Sequence, residues 1–187
     1  MKDMDIKTEK RAIESSGRFP AENRPPAFSF RKLSDQSGAL GFDIFTLARN
    51  EEQILEQLLL QLEKELKEIV DETASAQDAP AAEFEMLFRH LYQLFKQKPY
   101  YLTVIFDKDL HRKYNGAEKI ISRIKGVAKG YLTRLIDRGK AQNIFIIHAE
   151  TKILVRKILN SFQVLMNDMQ LAEKMIRDLR KYQSIAD

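Results

Sequence analysis

Residues 28–54, FSFRKLSDQSGALGFDIFTLARNEEQI, give the clearest indication of the fold. They predict a short helix ending near Asp35, a tight turn at Ser37-Gly38, a second short helix over residues 39–47 and a long helix starting at Asn50. Two short helices around a glycine turn are the sequence outline of a helix-turn-helix. This part of the chain therefore predicts a small helical subdomain that leads directly into a long helix.

The long helix has a clear start signal and a wide apolar face. Asn50 can cap it, and Gln53, three residues later, can reach back to the capping residue. Apolar residues then recur at steps of three and four as far as Val70, the spacing of one buried helical face. The small and polar residues 73–80 (TASAQDAP) predict the loop that ends it.

Helical periodicity continues through the rest of the chain. A stripe over residues 84–95 stops at Pro99, Asn115-Gly116 predicts a turn, and Gly139 predicts a helix end. The later helices are predicted over residues 117–138, 149–169 and 171–183. Gly and Pro are scarce, at 7 and 5 of 187 residues, which also favours an all-α fold.

Two short runs leave a strand as the alternative. Residues 99–107 (PYYLTVIFD) and residues 144–147 are rich in residue types that favour strands. Because no partner strand is evident, we predict that the first run is a short buried helix with Pro99 in its first turn. Pairing of the two runs would instead produce a sheet.

Composition narrows the class of protein. With 44% apolar and 31% charged residues, the chain has a globular balance. The absence of Cys excludes disulfides and thiolate metal sites. Residues 1–10 (MKDMDIKTEK) are too polar for a signal peptide, and no apolar run approaches the ~20 residues of a membrane span. We therefore expect a cytoplasmic protein with no membrane span.

Charge is divided unevenly along the chain. Residues 51–85 hold eleven acidic residues against Lys64 and Lys67, whereas residues 98–140 hold eleven basic residues against four acidic ones. Solvated helix faces would account for this pattern. It would also arise from complementary packing between the two segments, or from a basic surface that binds an acidic partner or membrane phosphates.

The helix-turn-helix stretch and its continuation resemble the DNA-binding end of TetR-family transcriptional regulators. The matching positions are turn, core and cap residues: Gly38, Ala39, Ile44, Phe45, Arg49, Asn50, Glu52 and Ile54. The resemblance implies an all-α protein with a three-helix head over residues 1–48 and a helical ligand-binding and dimerisation domain over residues 49–187. It also implies operator DNA, a small apolar effector and a second copy of the chain as partners, with no cofactor.

The resemblance carries a set of DNA-contacting positions: Arg31, Lys32, Leu40, Gly41, Asp43, Thr46 and Arg49. The chain departs from the family at several of the positions that face DNA. Asp43 stands where the family usually has Thr, and a carboxylate there repels the phosphate backbone, although it can accept a hydrogen bond from a cytosine amine. Phe42 replaces a Gly, and the proline-rich residues 17–26 lengthen the connection from the first helix. The alternative is therefore a TetR-fold dimeric module that binds a ligand or protein and whose degenerate head no longer binds DNA specifically.

Two further sets of residues are assigned in the body. His90, Tyr92, Tyr101 and Tyr131 are predicted to supply polar tips to an effector pocket, with plain core packing as the alternative. The apolar stripes of the last two helices predict a homodimer, because so broad an apolar surface needs a partner. The predicted interface residues are Leu154, Ile158, Phe162, Leu165, Met169, Met175 and Leu179.

No residue set in the sequence supports catalysis. His90, His111 and His148 lie far apart in sequence, without carboxylates at ligand spacing. Phosphate-binding glycine loops, HExxH and GxSxG motifs are all missing. We expect neither an enzyme nor a metal site.

Overall fold

A computed structural model describes residues 50–76, 79–145 and 148–180. Across these three ranges the chain forms seven α-helices and no strand, so the all-α prediction is confirmed there. The helices are α1 (Glu51–Ser75), α2 (Pro80–Gln97), α3 (Tyr100–Phe106), α4 (Lys108–Lys113), α5 (Asn115–Ala141), α6 (Thr151–Asn167) and α7 (Met169–Arg180). The predicted head over residues 1–48 lies outside the described residues.

The first helix begins as its sequence predicts. The side-chain oxygen of Asn50 accepts a hydrogen bond from the backbone N–H of Gln53 at 2.9 Å. Glu51 and Glu52 occupy the first turn, where the positive end of the helix dipole favours acidic side chains. The core residues of this helix are Leu55, Leu58, Leu59 and Leu62, all nearly or fully removed from solvent.

The helix α2 lies at the centre of the helical body. α2 packs against α1, α3, α5, α6 and α7, and α1 also lies along α5. This position explains why α2 is rich in buried aromatic residues. The Phe84 ring stacks on Phe88 with centroids 4.9 Å apart. It also forms a T-shaped pair with the Phe145 ring, with centroids 5.9 Å apart. No helix within the described residues has the length and apolar character to cross a bilayer.

The run with strand-favouring composition is helical. Residues 100–106 form α3, which starts directly after Pro99, and the backbone oxygen of Pro99 accepts from Leu102 at 3.2 Å. Five of its residues are more than nine-tenths buried, and two of these, Tyr101 and Val104, are fully buried. Residues 144 and 145 form no strand, and residues 146–147 lie outside the described residues. Burial on a helical surface has therefore outweighed the strand preference of these residues.

Two predicted boundaries of α5 are wrong by a few residues. Asn115-Gly116 does not form a turn but begins α5, because Tyr114 takes the extended conformation that precedes the helix, with φ −126° and ψ 104°. At the other end, the helix continues past Gly139 to Ala141. The chain reverses at Asn143, whose φ of 57° is left-handed.

Gly139 is needed for packing rather than for ending the helix. Its backbone oxygen accepts hydrogen bonds from the N–H groups of Ile144 at 2.7 Å and Phe145 at 3.2 Å. The returning chain therefore lays the Phe145 ring directly on Gly139, where an added Cβ would overlap the ring. A glycine in this helix thus allows the loop to close tightly on it.

We expect Gly139→Ala to lower the free energy of unfolding by about 1–3 kcal/mol, because Phe145 must move out of a well-packed site. Gly116→Ala on the same helix is the matched control, since an added Cβ there meets nothing within 4 Å. The control should be neutral or stabilising by up to about 1 kcal/mol. Urea unfolding of both variants measures the difference, and equal stabilities would contradict the packing role of Gly139.

Candidate ligand cavity

Four ion pairs link the acidic segment of the sequence to the basic one. Glu51 pairs with Lys113 at 3.0 Å and Glu65 with Lys98 at 2.7 Å. The other two pairs are Glu63 with Arg123 at 2.8 Å and Glu83 with Arg138. Each joins an acid of residues 51–85 to a base of residues 98–140. Complementary packing between the two segments is therefore confirmed for these pairs.

A cavity of about 780 Å³ lies between α1, α2, α5 and α6, with further lining from the end of α3 and the start of α4. Its size is within the range of about 300–1,000 Å³ that small-molecule sites occupy. Most of its wall is apolar. The apolar side chains of the wall include Leu66 and Val70 of α1, Leu87, Phe88, Leu91 and Phe95 of α2, Val127 and Leu132 of α5, and Leu159 and Phe162 of α6.

The spacing of these residues explains the wall. Leu87, Leu91 and Phe95 recur every four residues, so they share one face of α2. Phe162 of α6 packs against that face. Its ring and the Phe95 ring form a T-shaped pair with centroids 5.5 Å apart. α5 contributes the small residues Gly126 and Ala128, and an added Cβ at Gly126 would meet nothing within 4 Å. Gly126 is exposed and Ala128 is half-buried, so these two small residues leave this stretch of the cavity wall open towards solvent.

Glu63 is the one carboxylate that lines the cavity among the described residues, and it is fully engaged. Only 7% of it is exposed. Arg123 donates hydrogen bonds to both carboxylate oxygens, from Nε to Oε1 at 3.1 Å and from Nη2 to Oε2 at 2.8 Å. Lys67 Nζ also donates to Oε1 at 3.1 Å. The hydrogen bonds from Arg123, the largest cause, lower the pKa of Glu63 to about 2. This two-oxygen clamp ties α1 to α5 beside the cavity.

The remaining charges on the cavity are positive. Lys108 of α4 and Lys125 and Lys129 of α5 line it, and all three residues are exposed to solvent. Within residues 50–76, 79–145 and 148–180, none of the three forms an ion pair with a carboxylate. Lys125 and Lys129 are one helical turn apart and so share a face. The exposed edge of the cavity therefore carries unpaired positive charge.

Tyr131 is the member of the predicted pocket set that lines this cavity. Its hydroxyl is already used, since it donates to the buried carboxylate of Glu83 at 2.7 Å, and Glu83 also accepts from Arg138. Burial raises the pKa of Tyr131 to about 12, which keeps the hydroxyl protonated as a donor. Tyr131 thus contributes its ring to the wall while its polar tip holds α2 and α5 together.

The other three predicted pocket residues lie elsewhere. Tyr101 is fully buried and donates to Glu65 at 3.1 Å. His90 and Tyr92 are half-buried on α2 and do not line the cavity. The Nδ1 atom of His90 is buried without a hydrogen-bond partner in the described part of the chain, and Lys96 lies 5.8 Å from the Tyr92 ring centroid.

Apart from Tyr131, the residues that line the cavity were not among the predicted pocket residues. Its wall comes mainly from aliphatic side chains that look like ordinary core residues, and its charged edge comes from lysines that look like a solvated face. The available signal was the combination of small residues in the middle of α5 with two lysines spaced by one turn, Lys125 and Lys129.

The predicted interface residues are divided between internal packing and the surface. Ile158, Leu165 and Leu179 are buried within the chain itself, and Phe162 lines the cavity. Leu154, Met169 and Met175 are partly buried against the core. Leu171 is 40% exposed on α7, which makes it one of two large exposed apolar side chains among the described residues, the other being Leu60 at 37%. All the predicted DNA-contacting residues lie in residues 1–49, outside the described residues.

Comparison of the chain with protein-family models, with curated proteins and with solved structures finds no match. The described residues also contain no group of three or more His, Asp or Glu side chains that could hold a metal ion. What defines the site is thus an all-helical body with an apolar cavity and a basic edge.

The pH dependence of stability tests the Glu63 clamp. Its pKa falls from the ordinary 4.5 to about 2 on folding, so its contribution is complete above pH 4.5 and is lost as pH falls towards 2. We expect Glu63→Gln to lower the free energy of unfolding at pH 7 by about 1–3 kcal/mol. The deficit relative to the unmodified chain should shrink steadily between pH 4.5 and pH 2.5.

Glu68→Gln is the control, because Glu68 lies on the same helix with its side chain 63% exposed and only a 3.9 Å contact to Lys64. It should change stability by less than about 0.5 kcal/mol. Urea unfolding at several pH values measures both variants. A Glu63→Gln deficit that is the same at pH 7 and pH 3 would contradict the clamp.

Proposed function

We propose that the chain is a TetR-like, homodimeric DNA-binding regulator whose operator affinity is controlled by a small molecule in the cavity. The observation that carries this proposal is that α1 forms part of the cavity wall through Glu63, Leu66 and Val70. The same helix begins at Glu51, directly after the predicted helix-turn-helix. A ligand in the cavity therefore contacts the helix that leads to the head.

The coupling would act through the packing of α1. The helix is held to α5 by the Glu63–Arg123 clamp and by its leucine face, and the cavity lies beside this contact. A ligand that fits one position of α1 better than another shifts the population towards that position. Its effect on DNA affinity is at most the difference in its binding free energy between the two positions.

The DNA half of the proposal is supported by the sequence. Arg31, Lys32 and Arg49 supply positive charge around the predicted turn, and the resemblance implies a phosphate contact for Thr46. Two heads must fit successive major grooves about 34 Å apart, which requires a dimer. The exposed Leu171 on α7 offers an apolar contact for such a dimer, whereas most of the predicted interface residues are used within the chain itself.

A second candidate keeps the dimer and the cavity but gives up DNA binding. Asp43 on the predicted recognition helix and the proline-rich residues 17–26 favour it. In that case the body would bind its ligand or a protein partner, and the head would have no operator. The two candidates make opposite predictions for DNA.

Fluorescence anisotropy with the DNA fragment upstream of the chain's own gene separates the two candidates. We expect binding about a thousandfold tighter than to scrambled DNA of the same length. If the protein makes about four phosphate contacts, raising the salt concentration from 50 to 200 mM should weaken this binding about a hundredfold. Equally weak binding to both DNAs would favour the degenerate head, and recovery of binding by Asp43→Thr would then identify that carboxylate as the cause.

Light scattering at tens of micromolar tests the dimer. We expect twice the monomer mass for the unmodified chain and the monomer mass for Leu171→Glu, which places a charge on the exposed apolar part of α7. Leu60→Glu on α1 is the matched control, with similar exposure, and should remain dimeric. A monomeric unmodified chain would reject the dimer, and dissociation by both variants would reject its placement on α6 and α7.

A further inference from the structure

We propose that the cavity takes an anionic amphiphile of the fatty-acid type, with an apolar chain inside and a single carboxylate at the lysine edge. This inference rests on the proposed function in that it takes the cavity as the ligand site. It adds the chemical class of the ligand, which the distribution of polar groups around the cavity determines.

The interior of the cavity selects an apolar body. Leu87, Leu91, Phe95 and Phe162 form its wall between α2 and α6. Two buried polar groups on the wall are already engaged, the Tyr131 hydroxyl by Glu83 and the Glu63 carboxylate by Arg123 and Lys67. The uncharged polar residues Ser122 and Asn160 also line the cavity, but both are exposed to solvent. A ligand with several hydrogen-bonding groups along its length would lose water contacts there without replacing them. A hydrocarbon chain has no hydrogen bonds to water to lose, and it is stabilised there by the burial of its apolar surface.

The edge of the cavity selects a negative head group. Lys108, Lys125 and Lys129 line it without ion pairs among the described residues, whereas the single lining carboxylate there, Glu63, is paired twice. Lys125 and Lys129 lie one turn apart, so their ammonium groups can both approach one carboxylate. A cationic head group would be repelled by the same three charges.

The exposure of these three lysines limits how much they contribute to the affinity for a ligand. All three are exposed, so water and salt screen their attraction for a ligand. Two such contacts together are worth about tenfold in affinity. Most of the affinity should therefore come from the apolar chain, and the lysines should decide which head group is preferred.

Isothermal titration calorimetry of the full chain with three ten-carbon probes tests the inference. The probes are decanoate, 1-decanol and decyltrimethylammonium, which share the apolar body and differ in the charge of the head. We expect decanoate to bind about tenfold more tightly than decanol, and decyltrimethylammonium to bind most weakly. Raising the salt concentration should narrow the gap between decanoate and decanol.

Variants locate the head group. Lys125→Gln with Lys129→Gln should weaken decanoate about tenfold and leave decanol unchanged. The matched control is Lys152→Gln with Lys157→Gln, two exposed lysines of α6 that do not line the cavity, and it should change neither. Because all four positions are exposed, the variants should keep the thermal unfolding midpoint of the unmodified chain.

A third variant locates the apolar chain. Gly126→Leu places a side chain on the cavity wall where a Cβ meets no other atom, so it should weaken decanoate and decanol alike. Gly116→Leu, also in open space on α5 but away from the cavity, should weaken neither.

The outcomes distinguish this inference from the proposed function. Equal affinity for decanoate and decanol, or no effect of the Lys125 and Lys129 changes, would overturn the anionic head and leave the cavity as a ligand site. Binding that Gly126→Leu does not affect would overturn the placement in this cavity. Failure of all three probes to bind would overturn the inference, while the DNA-binding measurement would still decide the proposed function.

Discussion

The packing of α1 against the later helices organises the described part of the chain. Its leucine face supplies most of the free energy, since each buried Leu contributes about 1.5–3 kcal/mol and four of them are almost fully buried. The carboxylates of Glu51, Glu63 and Glu65 then each pair with a base from a later part of the chain. From Glu51 to Glu65 the three pairs span 14 residue steps along the helix, about 21 Å. Apolar burial therefore holds α1 in place, and the ion pairs select one register among the positions that burial would allow.

The pairs differ in what they contribute. Glu51 and Lys113 have side chains that are 51% and 65% exposed, so this pair is worth little. Glu65 and Lys98 are only 13% and 18% exposed, and Glu65 also accepts from Tyr101 and Gln61. Loss of a single partner there would leave a charge that water reaches poorly, which is costly. The stronger ion pairs of α1 thus lie in its middle. The weaker ion pair lies at the end that leads to the predicted head, where Glu51 also accepts a hydrogen bond from the buried Tyr114 at 2.5 Å.

The same physics explains why the cavity exists and why its residues were hard to predict. Aromatic residues with polar tips were predicted to supply hydrogen-bonding groups to a ligand. Burial makes an unpaired hydroxyl expensive, and the hydroxyls of Tyr101 and Tyr131 donate to Glu65 and Glu83. The cavity is lined by the small residues Gly126 and Ala128 of α5 together with larger residues of α2 and α6. Such a gap depends on which side chains face one another across helices that are distant in sequence.

Most helices of the body follow from local sequence, because amphipathic periodicity, the Asn50 cap and the effect of Pro99 act over a few neighbouring residues. The short helix α4 was not predicted. The sequence also indicates which segments attract one another, since their charges are opposite. Three features emerge only when the helices pack: which acid meets which base, the close fit of Phe145 on Gly139, and the continuation of α5 past the glycines predicted to bound it. The physical reason is that these features depend on contacts between distant helices, whose geometry is fixed by how all the apolar faces pack together.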